Sequence, residues 1–235
     1  MAADLELRRE GRVFILDMRS GENRFNQDFV DAFNRGLDTV EASSGPAALV
    51  TIGTEKFYSN GLDLDWMASA GSGGDFLASV LRLLGRVLGF PVPTVAAING
   101  HAFAAGAMLA LAHDFRAMRA DRGFFCLPEV DINLPLAPGM TALIACRLGP
   151  AVLRDLVLTG VRLGGTEAKR AGRRRRGPVA RRTPALGRRA RGAARRQAAT
   201  DLRRAQARHV PRGARAPRQR GSPVRQAEAR PEENR

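Results

Sequence analysis

Three short segments of the 235-residue chain combine residue types suited to polar chemistry at a carbonyl group. The first is Phe57-Tyr58-Ser59-Asn60-Gly61-Leu62-Asp63, in which Gly61 permits a tight turn that can direct the Leu62 amide into a cleft. The second runs from Asn99 through Gly100 and Ala105 to Ala107, with small residues at the expected first turn of a helix. Amides in a first turn lack intrahelical acceptors and lie at the positive end of the helix dipole, so they suit a developing negative charge. Two such amides converging on one carbonyl oxygen make an oxyanion hole. Read the other way, the same residues are ordinary turns beside a closely packed helix. The third segment, Phe125 to Pro135, embeds the carboxylate of Glu129 in an apolar stretch. Partial desolvation there would raise its pKa toward that of a general base; the competing reading is a surface carboxylate that caps the next turn. Asp131 shares the face of Glu129 if the segment is extended and not if it turns.

Other candidates carry less chemistry. His113-Asp114 resembles a fragment of a catalytic dyad, but adjacent residues rarely face each other and the chain has no Gly-x-Ser-x-Gly nucleophile motif, so a structural histidine is expected. Gly71-Ser72-Gly73-Gly74 follows no strand and lacks a Gly-Lys-Ser/Thr ending, which makes it a flexible loop instead of a phosphate cradle. Asp63 and Asp65 are placed to cap a helix near Trp66 and Met67. The two cysteines, Cys126 and Cys146, exclude a disulfide scaffold, and neither has metal-site spacing with His101 or His113.

The elements that must position these residues alternate between strand and helix. Val13–Met18, Ala47–Ile52, Thr94–Ile98, Phe115–Met118 and Phe124–Cys126 read as strands. A helix capped by Asn26 repeats Phe29, Phe33, Leu37 and Val40 at helical spacing, and residues 76–88 carry one wide apolar stripe that Arg82 and Arg86 avoid. Helices are further expected over residues 104–111, 141–147 and 151–158. This alternation predicts an α/β domain with largely parallel strands.

Charge divides the chain in two. The formal net charge is +15, which taken whole suggests an anionic partner. Residues 1–169 hold 16 basic and 19 acidic groups, for a net of −3, whereas Arg170–Arg235 hold 22 Arg, no Lys and four acids, for a net of +18. All 13 aromatic residues precede position 170. Five large aliphatic side chains against 22 like charges cannot offset the entropy of ordering, so the tail is expected to be disordered. Its arginines predict salt-sensitive, nonspecific polyanion binding, although without aromatic residues for base stacking. The charged segment Met1–Glu10 does not read as a signal peptide, and no apolar run approaches the ~18–20 residues of a membrane span. A cytoplasmic protein is the expectation.

Taken together, Phe57-Tyr58-Ser59-Asn60-Gly61-Leu62-Asp63-Leu64, Pro93-Thr94-Val95-Ala96-Ala97-Ile98-Asn99-Gly100-His101-Ala102, His113-Asp114-Phe115, Arg119-Ala120-Asp121-Arg122-Gly123 and Glu129-Val130-Asp131-Ile132 resemble the crotonase (enoyl-CoA hydratase/isomerase) superfamily. The likeness is closest to its plant-peroxisomal Δ3,Δ2-enoyl-CoA isomerase type and extends from about Gly11 to Gly172. It implies a spiral of ββα units around a CoA-thioester cleft, trimeric or hexameric assembly, and no cofactor beyond the CoA carried by the substrate. It further implies an oxyanion hole from the Leu62 and Ala105 amides, Glu129 as acid/base, and CoA contacts at Asn60, Gly61, Asp63 and Gly106. The organisation expected is a catalytic core over residues 1–172 and an Arg/Ala/Gly/Pro-rich tail over 173–235.

Two departures sharpen that picture. Hydratases of the superfamily carry a second glutamate where this chain has Met108, so the resemblance favours isomerisation in fatty-acid β-oxidation over hydration or another CoA-thioester reaction. After Gly172 the superfamily continues with an apolar strand and helices that cover the acyl pocket and contribute to subunit contacts, whereas this chain continues Arg173-Arg174-Arg175-Arg176. Arg, Ala, Gly and Pro supply 48 of the last 66 residues, all types with codons that are or can be GC-rich. This composition reads as a shifted reading frame, with an RNA-binding arm on a crotonase scaffold and an inactive product of a disrupted gene as the competing accounts. Translating the neighbouring frames beyond codon 172 is expected to yield an apolar continuation; its absence from both frames rules the shift out.

Overall fold

The computed structural model describes residues 3–70 and 73–172. Its strands are β1 (Leu5–Glu10), β2 (Val13–Met18), β3 (Ala48–Gly53), β4 (Phe57–Ser59), β5 (Thr94–Ile98), β6 (His101–Phe103), β7 (Phe115–Met118) and β8 (Phe125–Cys126). Its helices are α1 (Gln27–Glu41), α2 (Leu64–Ala70), α3 (Gly73–Leu88), α4 (Ala105–Ala112), α5 (Pro138–Arg147), α6 (Pro150–Thr159) and α7 (Gly165–Gly172). The larger sheet has the order β1-β2-β3-β5-β7, with β1 antiparallel to β2 and the other pairs parallel; a smaller parallel sheet has the order β4-β6-β8. The predicted α/β class and the parallel bias are therefore present. β1, β4, β6 and α7 are additions to the sequence reading, and Gly73-Gly74 opens α3 instead of closing a loop. The tail expected over 173–235 lies outside the described residues, as do Gly71 and Ser72.

The helices form where their sequences call for them. Asn26 adopts φ −120°, and its Oδ1 accepts the Phe29 N–H at 3.0 Å, satisfying one of the first-turn donors of α1. Phe29, Phe33, Leu37 and Val40 then line the buried face, and Phe29 stacks on Phe25 with ring centroids 4.7 Å apart. The stripe of α3 is buried through Phe76, Val80, Leu84 and Val87. Arg86, off that stripe, bridges back to Asp38 and Glu41 of α1 at 2.6 and 2.8 Å.

A buried polar chain joins the two sheets. The Thr51 hydroxyl on β3 lies 2.7 Å from the Tyr58 hydroxyl on β4 and 3.0 Å from His113 Nε2. His113 Nδ1 lies 2.8 Å from the Leu109 carbonyl, which can only accept, so Nδ1 carries the proton and Nε2 accepts from Thr51. Thr51 in turn accepts from Tyr58. Every group is used once, and the imidazole is neutral, which makes His113 the structural histidine that the sequence implied. Asp114 serves the same purpose outside the network, accepting from the Thr94 amide at 3.0 Å.

Burial pushes the His113 pKa down from 6.5 to about 4. Its contribution to stability is therefore complete above about pH 6.5 and is lost as the pH falls toward 4, because the unfolded chain takes up the proton first. That interval is worth roughly 3 kcal/mol. A His113→Gln variant is expected to remove this segment of the pH dependence. Thermal or urea denaturation between pH 4 and 7 reads it, and parallel stability curves for variant and parent would contradict the neutral network.

Candidate functional site

The three chemistry-bearing segments follow the three strands of the smaller sheet. Gly61 and Leu62 come after β4, Ala104 and Ala105 after β6, and Glu129 after β8, each at the carboxyl end of its strand. The sequence reading attached the second segment directly to the strand Thr94–Ile98. Instead, the chain reverses at Asn99-Gly100 and runs through β6 before α4 begins. A Cβ on Gly100 would lie 2.1 Å from the Lys56 carbonyl oxygen, so only glycine lets these backbones approach.

Both candidate amides are unpaired. Phe25 bridges to the Gly61-Leu62-Asp63 turn by donating to the Gly61 carbonyl at 2.7 Å and accepting from the Asp63 amide at 2.9 Å. A parallel bridge of this kind uses the residues flanking Leu62, and among the described residues the Leu62 N–H has no acceptor. Ala105 is the first residue of α4, where an amide has no intrahelical partner. It is aimed by Ala104, whose φ of 49° and ψ of −124° are strained for a non-glycine residue and cost about 1–3 kcal/mol. The two turns touch: a Cβ on Gly61, itself at φ +89°, would stand 3.0 Å from Ala104 Cβ and 3.2 Å from the Ala105 nitrogen.

Glu129 sits in a single 3-10 turn, Pro128–Val130, and only 6% of it is exposed. Its Oε2 has no hydrogen-bond partner among the described residues. Burial raises its pKa above 4.5, opposed only by a hydrogen bond to its own backbone. Because the chain turns here, Asp131 leaves the face of Glu129 and its carboxylate packs over Gly160.

Leu62, Ala105 and Glu129 all line one cavity of about 110 Å³, together with Asn60 and Met108. The rest of the wall is apolar apart from the backbone, through Leu64, Ile132, Leu136 and Met140 among others. Gly61, Asp63 and Gly106 are not lining residues but hold the turns. Asp63 Oδ1 accepts the Trp66 amide at 3.2 Å and caps α2, and a Cβ on Gly106 would lie 2.4 Å from the Ser59 oxygen. Asn60 donates to Glu22 at 2.8 Å. The Cys126 thiol, pushed up to about 11 by burial, is unsuited to nucleophilic work. No cluster of three or more His, Cys, Asp or Glu able to hold a metal occurs among the described residues. Sequence reasoning missed the apolar wall from α5, Met140, whose helix has only a weak apolar stripe.

Unpaired amides after two parallel strands and a desolvated carboxylate after a third line one apolar cavity, an arrangement able to bind a carbonyl oxygen and exchange a proton. Residues 11–174 match the enoyl-CoA hydratase/isomerase family, and the chain belongs to it. It is 39% identical to enoyl-CoA delta isomerase 3 of Arabidopsis thaliana over 170 residues, covering 69% of this chain and 71% of that protein. Carnitinyl-CoA dehydratase of Escherichia coli K12 is 32% identical over 179 residues, 73% of this chain and 67% of the relative. The solved structure of an enoyl-CoA hydratase/isomerase family protein from Pseudomonas syringae superposes with a TM-score of 0.68 at 29% identity, covering 72% of this chain and 73% of that one. The fold is accordingly the crotonase-type α/β fold.

A buried carboxylate with one oxygen unpartnered weakens the fold in its charged form. Since the folded-state pKa of Glu129 is raised, its ionisation removes stability as the pH rises through that value. Glu129→Gln is therefore expected to raise Tm at pH 8, by about 2–4 °C if ~1 kcal/mol is relieved, with the gain shrinking at pH 4. Scanning calorimetry at the two pH values checks this, and an unchanged or lower Tm at pH 8 would mean that the carboxylate is paired.

Proposed function

We propose that the chain moves the double bond of a 3-enoyl-CoA to give the 2-trans isomer, with Glu129 as the acid/base. One observation carries the reading: among the described residues that line the cavity, Glu129 is the sole carboxylate, and buried Met108 stands on the wall beside it. Hydration needs one group to activate water and another to manage the proton on the neighbouring carbon. A 1,3 double-bond shift needs only one. Ionised Glu129 takes a proton from C2, the C3–C4 double bond moves to C2–C3, and the same carboxyl returns the proton to C4.

The intermediate is a thioester enolate, with its charge on the carbonyl oxygen. The free Leu62 and Ala105 amides are the donors suited to that oxygen, and fixed donors of this kind are worth about 3–4 kcal/mol each. Apolar walls keep water from the enolate, and the raised pKa of Glu129 brings it closer to that of an effective base. No cofactor takes part beyond the CoA of the substrate. The relative named as a delta isomerase supports this branch of the family over the dehydratase-like one.

Glu129→Gln is expected to abolish turnover of 3-hexenoyl-CoA, a loss of roughly 10²–10⁴-fold or more, in a variant that still melts cooperatively. For the parent, kcat/KM should fall on the acid side with a midpoint above 4.5, because the base must be ionised. A spectrophotometric assay of 2-enoyl-CoA formation reads both. Turnover retained in the variant refutes the assigned base, and faster hydration of 2-trans-hexenoyl-CoA than isomerisation of the 3-isomer refutes the reaction.

A further inference from the structure

Residues 19–26 link β2 to α1, and Asn23 among them is completely buried, a polar residue for which the proton transfers at Glu129 have no use. Its backbone is left-handed, with φ 52°, a conformation that asparagine tolerates better than most residues with a Cβ. Each of its polar groups is bonded. The amide N–H donates to the Ser20 carbonyl at 2.8 Å, and Oδ1 accepts from the Ser20 amide at 2.9 Å. Nδ2 gives its two hydrogens to the carbonyls of Met18 at 3.0 Å and Tyr58 at 3.1 Å, and the Asn23 carbonyl accepts from the Ser59 hydroxyl at 2.7 Å. A reversed side-chain amide would set its oxygen against two carbonyls that can only accept, so the orientation is fixed.

Asn23 thereby ties the end of β2 to the end of β4, immediately before the turn that carries the Leu62 amide. Its neighbours continue the pairing. The Asn60 amide donates to the Glu22 carbonyl at 2.9 Å, the Phe25 amide to the Gly61 carbonyl at 2.7 Å, and the Asp63 amide to the Phe25 carbonyl at 2.9 Å. The Ser59 hydroxyl that donates to Asn23 also accepts the Gly61 amide at 3.2 Å. From Tyr58 to Asp63, every residue except Leu62 is therefore hydrogen-bonded to residues 22–25, and the Leu62 N–H is the group this template passes over. Among residues 22–25, Asn23 alone grips the segment through a fully buried polar side chain.

We infer that Asn23 is a positioning residue for the oxyanion hole: by tying Tyr58 and Ser59 to β2, it fixes the direction of the Leu62 N–H toward the thioester oxygen. The inference rests on the reading of Leu62 as an oxyanion donor and is independent of the proton transfers assigned to Glu129. Without the tether the donor is still present but free to turn, and a misdirected donor stabilises the enolate less while the base stays buried.

Asn23→Gly retains access to the left-handed backbone and deletes the side chain, so it separates the tether from the conformation. In the full chain, kcat for 3-hexenoyl-CoA is expected to fall roughly 10–10²-fold, with KM changed by less than ~3-fold. The acid-side midpoint of kcat/KM should stay at the parent's value; a midpoint that drops toward 4.5 marks general loosening around Glu129 and overturns the inference. Infrared difference spectra of bound butanoyl-CoA, isotope-labelled at the thioester carbonyl, follow the oxyanion hole directly, since this saturated ligand cannot isomerise. Its C=O stretch should move to lower wavenumber on binding the parent and lie closer to that of the free ligand in the variant. If Asn23→Gly does not melt cooperatively, Ser59→Ala, which removes the hydroxyl between Asn23 and Gly61, is read by the same measurements. An unshifted carbonyl in the parent overturns the inference, as does a variant that keeps the parent's shift and kcat. A parent that shifts the carbonyl yet leaves 3-hexenoyl-CoA unconverted refutes the isomerase reading alone, and the infrared comparison then decides the role of Asn23.

Discussion

The hydrogen bond from the Ala104 amide to the Cys126 carbonyl, 3.1 Å long, is the contact on which the site most depends. It closes the parallel pairing of β6 with β8 one residue beyond β6, at the point where one chain turns into α4 and the other into the 3-10 turn of Glu129. Parallel strands deliver their carboxyl ends to the same edge of a sheet, so the loops that follow them meet there. The register β4-β6-β8 thus gathers an unpaired amide from each of two turns and a carboxylate from a third, although the three lie 43 and 24 positions apart in sequence. Gly61, pressed against Ala104, and Gly100, pressed against Lys56, allow the backbones to approach closely enough for the arrangement to close.

This geometry is held against local free energy. Ala104 has a backbone conformation that a residue with a Cβ rarely adopts, and Glu129 is buried with its Oε2 unpartnered among the described residues. The opposing contribution comes from α4, in which all eight residues from Ala105 to Ala112 are buried. A helix apolar on every side packs on every side, and it cannot relax toward solvent to relieve its first turn. Its two ends are treated differently. The carbonyl end is met by the guanidiniums of Arg116 and Arg147, as the negative pole of a helix favours. The amide end is left open to the cavity.

Much of this was legible in sequence, and the omissions have a common cause. β2, β5 and β7 were readable to the residue because each is a short, mainly apolar segment, interrupted only by Asp17 in β2 and Arg116 in β7, between turn or polar residues. Asn26 announced the start of α1, and Glu129 stood out as a carboxylate among apolar neighbours. β4 and β6 were not readable because three residues cannot display a period. Phe57-Tyr58-Ser59 and His101-Ala102-Phe103 look like the flanks of glycine turns, and only their pairing with each other makes them strands. β1 was hidden by its charges, since Leu5 and Leu7 alone face inward on an edge strand. The site residues were thus identifiable one by one, whereas the sheet that assembles them exists only through contacts between distant segments.

Met108 shows how narrow the step between related chemistries is on this scaffold. It lies three positions after Ala105 on α4, and residues three apart share a helix face, so the side chain at 108 meets the same cavity that the Ala105 amide faces. On the proposed reading, the helix stabilises enolate charge through its backbone, which no side-chain substitution alters. The number of protonic groups in the cavity is set by a side chain instead. An acidic residue at 108 would add a second proton carrier without moving the oxyanion donors or Glu129, whereas the thioether excludes water and leaves one carboxylate to work at both carbons. The backbone therefore fixes the class of intermediate, and one buried side chain selects what becomes of it.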